Sequence, residues 1–98
     1  MANLPETIRI GGIDYTVSEH KDLRDGDTWL NGHIIYDQCQ IRVDSELADY
    51  RKFVTIWHEV LHGLLEHAGM GDHDEKLIIA LGYGITQVLR DNKYLRGE

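Results

Sequence analysis

Apolar residues in the second half of the chain recur every three or four positions, the spacing of amphipathic helices. The first run predicts a helix over residues 46–68, with an N-cap at Asp44 or Ser45 and an end at Gly69-Met70-Gly71. The second run predicts a helix over residues 73–92. The predicted buried face is Leu47, Tyr50, Val54, Trp57, Leu61, Leu64 and Ala68 in the first helix and Leu77, Ile78, Leu81, Ile85, Val88 and Leu89 in the second.

The first half has the short apolar runs and turn residues of β-strands. Residues 7–18 are rich in β-branched side chains and are broken by Gly11-Gly12, which predicts a hairpin or strand pair. Residues 20–31 are rich in Asp, Lys, Gly and Asn and predict a loop, and two further strands are expected at 32–37 and 39–43. The predicted architecture is therefore an α+β fold, in which a small antiparallel sheet is covered by a two-helix hairpin.

Length and composition fit a single domain that spans residues 1–98. A hydrophobic content of 42% with 28% charged residues is ordinary for a soluble globular protein. No apolar run approaches the ~18 residues of a membrane span, and the first ten residues, MANLPETIRI, lack the plan of a signal peptide. We therefore expect no membrane partner.

Charge and cysteine content narrow the partners and the compartment. The net charge of −7 disfavours nucleic-acid binding, which would need a basic patch. Cys39 is the only cysteine, so no intramolecular disulfide is possible and the reducing cytosol is the expected compartment. A lone thiolate is also a poor candidate for a zinc ligand, because structural zinc sites recruit cysteines in closely spaced pairs.

One motif in the first predicted helix indicates metal chemistry: residues 58–62, His-Glu-Val-Leu-His, have the form HExxH. On an α-helix the two histidines lie on one face, about 6 Å apart along the axis, so both imidazoles can reach one tetrahedral Zn²⁺. Glu59 is turned about 100° from His58 and is better placed to act on a zinc-bound water than to bind the ion. The histidines flank the apolar stripe, which favours a metal site over a chance match.

A catalytic zinc site needs a third protein ligand. Four residues near the junction of the two predicted helices are candidates: Glu66, His73, Asp74 and Glu75. Glu75 is favoured because it shares a helical line with Ile78 and Gly82, and the missing side chain of Gly82 would let the helices come close.

Each alternative has a competing explanation. Glu75 can instead form a capping box with Asp72, since the two have D-x-x-E spacing. Glu66 would make a straight row with the two histidines, which does not converge easily on a tetrahedral ion. His67 points roughly 140° away from His62 and is read as a solvated histidine at the helix end.

The motif and its surroundings resemble a known group of proteins. The segment WHEVLHGLLEHAG, the glutamate after the turn and the tail LGYGITQVLRDN are similar to small phage-encoded zincins, minimal relatives of the ImmA/IrrE-type metallopeptidases in the gluzincin group. The resemblance covers about residues 28–93 and is firmest over 56–92. The chain departs from the group at Lys93, where proline is frequent, and in the His and Asp content of residues 72–74.

The resemblance implies a short sheet, a metal helix and a second helix that carries an acidic ligand. By position, His58 and His62 correspond to zinc ligands, Glu59 to the general base and Glu75 to the glutamate ligand. The implied function is zinc-dependent hydrolysis of a protein or peptide substrate in the cytoplasm of a phage-infected bacterium. Zinc would activate a water, and Glu59 would take its proton and later pass it to the leaving amine.

Other residues have weaker assignments. Tyr36, Tyr83 and His33 can be considered as stabilisers of the oxyanion, although each is better explained as a core or surface residue. Trp29 and Trp57 are interpreted as packing residues. Because the chain is short, the rival hypothesis is a phage accessory or interaction protein in which zinc only staples the two helices.

Overall fold

The computed structural model describes residues 4–98 and begins with a tight β-hairpin. Strand β1 spans Thr7–Ile10, and β2 spans Ile13–His20. Ile10 pairs with Ile13, so the connecting loop is Gly11-Gly12 alone. Both glycines have positive φ, 58° and 81°, as a two-residue type I′ turn requires. The hairpin predicted from the Gly-Gly pair is confirmed.

The next segment contains more order than the loop that the sequence predicted. Two short strands, β3 at Arg24–Asp25 and β4 at Thr28–Trp29, form a small separate hairpin. Strand β5 then spans Gly32–Ile35, a 3₁₀ turn spans Tyr36–Gln38, and β6 spans Gln40–Asp44. The two later strands and the short turn between them therefore match the prediction.

The larger sheet has the strand order β1-β2-β6-β5. The pairs β1–β2 and β5–β6 are antiparallel, but β2 and β6 are parallel, with Val17 beside Ile41. The α+β class is confirmed, and the sheet is mixed rather than wholly antiparallel. The physical reason is burial: Ile41 and Val43 of β6 are fully buried, so β6 takes the inner position and β5 remains at the edge.

Helix α1 spans Asp49–His67. It begins later than predicted because the Asp44 carboxylate accepts the N–H of Glu46 at 3.0 Å and so stabilises a turn ahead of the helix. The predicted end is confirmed: Gly69 has φ 78°, and the N–H of Met70 donates to the carbonyl of Leu65.

Helix α1 covers the sheet and also contacts α2, so it is buried on two sides. Ile56 and Val60 join the core cluster formed with Ile10, Tyr15, Ile34, Ile41 and Val43. The predicted stripe was therefore wrong in part, since its members Tyr50 and Leu64 are exposed.

Helix α2 spans Glu75–Asp91, close to the predicted range. Its buried residues are Ile78, Gly82 and Thr86, which form a narrow line along α1. The predicted face was wrong for Leu77, Leu81 and Val88, which are exposed. The reason is that α2 packs mainly against α1, along the line that includes Gly82, and its other faces are largely exposed.

The chain ends in a 3₁₀ turn at Lys93–Arg96 that folds back on α2. The guanidinium of Arg96 donates to the carbonyl of Arg90 at 2.6 Å, as expected for a cation near a helix C-terminus. Across residues 4–98, none of the helices has the length and apolar character needed to cross a membrane.

Candidate metal centre

The two histidines of the HExxH motif project from one face of α1 as its periodicity predicts. Both side chains are mostly buried, with 21% of His58 and 17% of His62 exposed. Their Nε2 atoms lie 3.2 Å apart. The helix therefore brings two ring nitrogens to one point at the edge of the core.

Glu75, the first residue of α2, brings a carboxylate to the same point. Its Oε1 lies 2.7 Å from Nε2 of His58, and its Oε2 lies 3.1 Å from Nε2 of His62. One ligand atom from each of the three residues can be chosen so that all lie within 4.8 Å of one another. Glu75 is thus the acidic residue that the structure groups with the histidines.

The other candidates for a third ligand lie elsewhere. Asp74 is the N-cap of α2 and accepts the N–H of Leu77 at 3.3 Å. This position also corrects the suggested capping box between Asp72 and Glu75, because the cap comes from Asp74 instead. Glu66 and His73 are outside the three-residue group. His73 instead contacts Nδ1 of His62, on the far side of that ring.

Gly82 allows the approach of α2 that places Glu75. A Cβ at this position would lie 3.4 Å from the carbonyl oxygen of Val54 and 3.8 Å from Cα of His58. That is ordinary van der Waals contact for one methyl group and leaves no room for a longer side chain. The close helix contact near the site that Gly82 predicted is therefore observed.

Burial favours the neutral form of the site histidine His62. Desolvation of the ring lowers its pKa, and the neighbouring rings of His58 and His73 act in the same direction. The Glu75 carboxylate opposes them. A neutral imidazole presents a lone pair, which is the form that binds a metal ion.

Glu59, on the same helix as the two histidines, lies beside this group with its carboxylate against strand β5. It is only 6% exposed, and the backbone N–H of Ile34 in β5 donates to its carboxylate. A Cβ on Gly32 would lie 3.1 Å from Oε2 of Glu59, so the glycine leaves the space that the carboxylate occupies. Burial raises the pKa of Glu59 to about 7, and the nearby charge of Glu75 adds to this, while the Ile34 N–H opposes it.

A cavity of about 480 Å³ opens next to the group. His58, His62, Glu59 and Glu75 line it together with Arg51 of α1, Tyr83 of α2 and residues 29–32, which include Trp29. Trp29 is 64% exposed and its ring lies under the guanidinium of Arg24, so its interpretation as a packing residue was wrong.

The remaining aromatic and histidine candidates differ in whether they lie at the cavity. Tyr83 lines the cavity, whereas Tyr36 packs against the core cluster, where burial raises its pKa to about 12. His33 does not line the cavity. Trp57 packs against the core as predicted. His67 points away from the site, also as predicted, but it is tied to the hydroxyl of Tyr15 at 2.9 Å rather than only solvated.

The donor set fits a zinc ion. Two donors that share a tetrahedral zinc at 2.0–2.1 Å lie about 3.3 Å apart. The two ring nitrogens are 3.2 Å apart, and the two oxygens of the Glu75 carboxylate lie 2.7 Å and 3.1 Å from the nitrogens of His58 and His62. Two imidazoles and one carboxylate are the donor types of three-ligand hydrolytic zinc sites, so His58, His62 and Glu75 would be the residues to hold such an ion.

Sequence reasoning missed two features of the site. Arg51 lies seven residues before His58, and this spacing, which places both on one helix face, was a usable signal. Trp29 had no such signal, because its position depends on how the β3–β4 hairpin folds over the cavity.

The raised pKa of Glu59 predicts a specific pH dependence of stability in the metal-free chain. Between about pH 4.5 and pH 7 the carboxyl ionises in the unfolded chain but stays protonated in the folded one, so the free energy of unfolding falls as pH rises. Glu59→Gln removes this pH-dependent contribution to the free energy of unfolding. Relative to wild type it should gain up to about 3 kcal/mol above pH 7 and nothing below about pH 4.5.

Urea unfolding with a chelator present measures this difference across the pH range. Glu6→Gln, at an exposed glutamate just before β1, is the matched control for the loss of a carboxylate. If the free energy of unfolding changes with pH equally in the wild type and in Glu59→Gln, the raised pKa of Glu59 is contradicted.

The chain was compared with known protein families, with curated proteins and with solved structures. No known protein family matches it, and neither the curated proteins nor the solved structures contain a match. The arrangement of His58, His62, Glu59 and Glu75 is therefore the basis on which function is inferred.

Proposed function

We propose that the protein is a zinc-dependent peptidase. In this proposal His58, His62 and Glu75 hold the zinc ion, and Glu59 is the general base. The observation that carries it is the carboxylate of Glu75 within 3.1 Å of both ring nitrogens, with the buried Glu59 beside them on the same cavity. The resemblance of residues 56–92 to small phage-encoded zincins of the gluzincin group supports the same assignment.

The roles of the residues follow from their surroundings. When bound, zinc supplies a Lewis acid that acidifies water and polarises the carbonyl of the scissile bond. Glu59 would take a proton from the attacking water and deliver it to the leaving amine. The Ile34 N–H holds the carboxylate in place during both transfers.

A purely structural zinc gives Glu59 no role. Burying a carboxylate without an ion pair costs folding free energy, and this carboxylate faces the cavity rather than closing the ligand set. This observation favours hydrolysis over the rival accessory protein with a zinc staple. The single Cys39 fits a reducing compartment, and we propose the cytoplasm of the phage-infected host.

Arg51 supports a preference among substrates. It is the only Lys or Arg among the described residues that line the cavity, and no described carboxylate pairs with it. Seven residues of helix place it about 10.5 Å from His58 along the axis. An extended peptide covers this distance in about three residues. We therefore expect a carboxylate on the substrate about three residues from the scissile bond.

The first prediction concerns the metal. The purified chain should bind one zinc ion, and His58→Ala or His62→Ala should abolish binding. Glu75→Gln should weaken it at least about tenfold, because one of three ligands loses its charge. Competition with a chelator measures the affinities, and Asp72→Asn, at an exposed acid three residues away, is the control with expected wild-type affinity. A chain that holds no zinc after reconstitution would be evidence against the site.

The second prediction separates hydrolysis from stapling. Glu59→Gln should keep the zinc stoichiometry and lose about 10²–10⁴ in peptidase rate, since a positioned acid–base group is removed. Mass spectrometry of a peptide library, or of phage and host lysates, detects the new termini. If neither protein cleaves while both bind zinc equally, the stapling hypothesis replaces this one.

The third prediction concerns the substrate. Arg51→Gln should reduce cleavage of peptides that carry a carboxylate at this distance about tenfold or more, and Arg51→Lys should reduce it less. Peptides with an internal Asp or Glu, with a free C-terminus, and with an amidated C-terminus distinguish a side chain from a terminal carboxylate. Arg9→Gln, at the exposed pair with Asp14, is the control. Equal loss on uncharged peptides would rule out charge recognition.

A further inference from the structure

His73 lies against the site from outside, in the connection between α1 and α2. Its ring stacks on that of His62 with centroids 4.9 Å apart and planes at 30°. The two Nδ1 atoms are 2.6 Å apart, and only 12% of the His73 side chain is exposed. A nitrogen–nitrogen contact this short requires one proton between the two atoms, donated by one ring and accepted by the other.

The direction of that hydrogen bond follows from the role of His62. Its Nε2 faces Glu75 and His58, where a ligand must present a lone pair. A neutral imidazole with a free Nε2 carries its proton on Nδ1. His62 Nδ1 is therefore the donor, and His73 Nδ1 is the acceptor. His73 then carries its own proton on Nε2.

That Nε2 atom is the one buried side-chain nitrogen or oxygen without a hydrogen-bond partner among residues 4–98. The Oε2 of Glu66 lies 3.9 Å from it. Glu66 is half-exposed at one turn beyond His62 on α1, so a small rotation of its side chain brings the oxygen within hydrogen-bonding distance. The three side chains then form a continuous row from a carboxylate through His73 to His62.

We propose that His73 is a positioning residue that fixes the tautomer and ring orientation of His62, with Glu66 as the outer acceptor. The inference rests on the proposed function, in which His62 holds zinc. Histidine ligands regularly donate their second N–H to a fixed acceptor, which raises the affinity for the metal. Here the ring nitrogen of a histidine takes the place that a carboxylate or a backbone carbonyl occupies in most such sites.

The experiment measures zinc affinity by chelator competition for three variants. His73→Ala removes the acceptor and should weaken binding 10–100-fold, the usual effect of losing such a partner. His73→Asn keeps an acceptor oxygen near the position of Nδ1 and should recover most of the affinity. His33→Ala removes a histidine from the opposite face of β5 and is the control for nonspecific binding.

A second measurement does not depend on affinity. In the zinc-loaded, ¹⁵N-labelled chain, NMR should show the His62 Nδ1 proton coupled through the hydrogen bond to His73 Nδ1, and His73→Ala should abolish this coupling. Glu66→Gln should keep the coupling.

Three outcomes overturn the proposal. Unchanged affinity in His73→Ala shows that His73 does not position a ligand. Equal, complete loss of zinc in His73→Ala and His73→Asn makes His73 a ligand itself. A wild type without zinc affinity overturns the proposed function as well, whereas zinc binding without the coupling overturns this inference alone.

Discussion

The backbone of α2 rests on α1 at Gly82, and this contact determines whether the site has two ligands or three. His58 and His62 belong to one helix and keep their relation wherever α2 lies. Glu75 belongs to the other helix and lies near them because α2 packs closely on α1 at Gly82, where a Cβ would be in van der Waals contact with the backbone of Val54 and His58. The three-residue group is a consequence of that packing.

The sheet makes a different contribution, which is to set the chemistry of Glu59. Edge strand β5 supplies the Ile34 N–H, and Gly32 supplies the space for the carboxylate. The same strand removes water from the side chain, which is why the pKa rises despite the hydrogen bond. The two helices thus position the candidate ligands, and strand β5 changes the pKa of Glu59, the candidate base.

Several features of the fold and of the candidate site could be predicted from local sequence. Gly11-Gly12 predicts a turn because glycine adopts positive φ without strain, and the HExxH spacing predicts a shared helix face because the helix repeat fixes it. Gly69 marks the end of α1 for the same local reason.

Most of the features that were missed depend on tertiary structure. Asp44 is a local exception: it is a residue type favoured at N-caps, but its carboxylate accepts the N–H of Glu46 and stabilises a turn ahead of α1. The parallel pairing of β2 with β6 depends on which strand is most buried, and the exposure of Leu77 and Leu81 depends on the absence of a second layer over α2. The contact between His73 and His62 joins residues eleven apart across a loop, which no helical or strand period describes.

The contact between the β1–β2 hairpin and the end of α1 also affects the order in which parts of the candidate site open. Tyr15 holds His67 by a hydrogen bond, and Gly11 lies against the same ring, so the helix that carries both histidines is anchored to the sheet. Within residues 4–98, helix α2 packs mainly on α1 rather than on the sheet, and it follows a connection of largely exposed residues. Local opening should therefore separate Glu75 from the histidines before it separates the histidines from each other. An ion would bind first to His58 and His62 and would then be retained when α2 packs on α1 and adds Glu75. The residence time of the ion would therefore depend on the rate at which α2 opens.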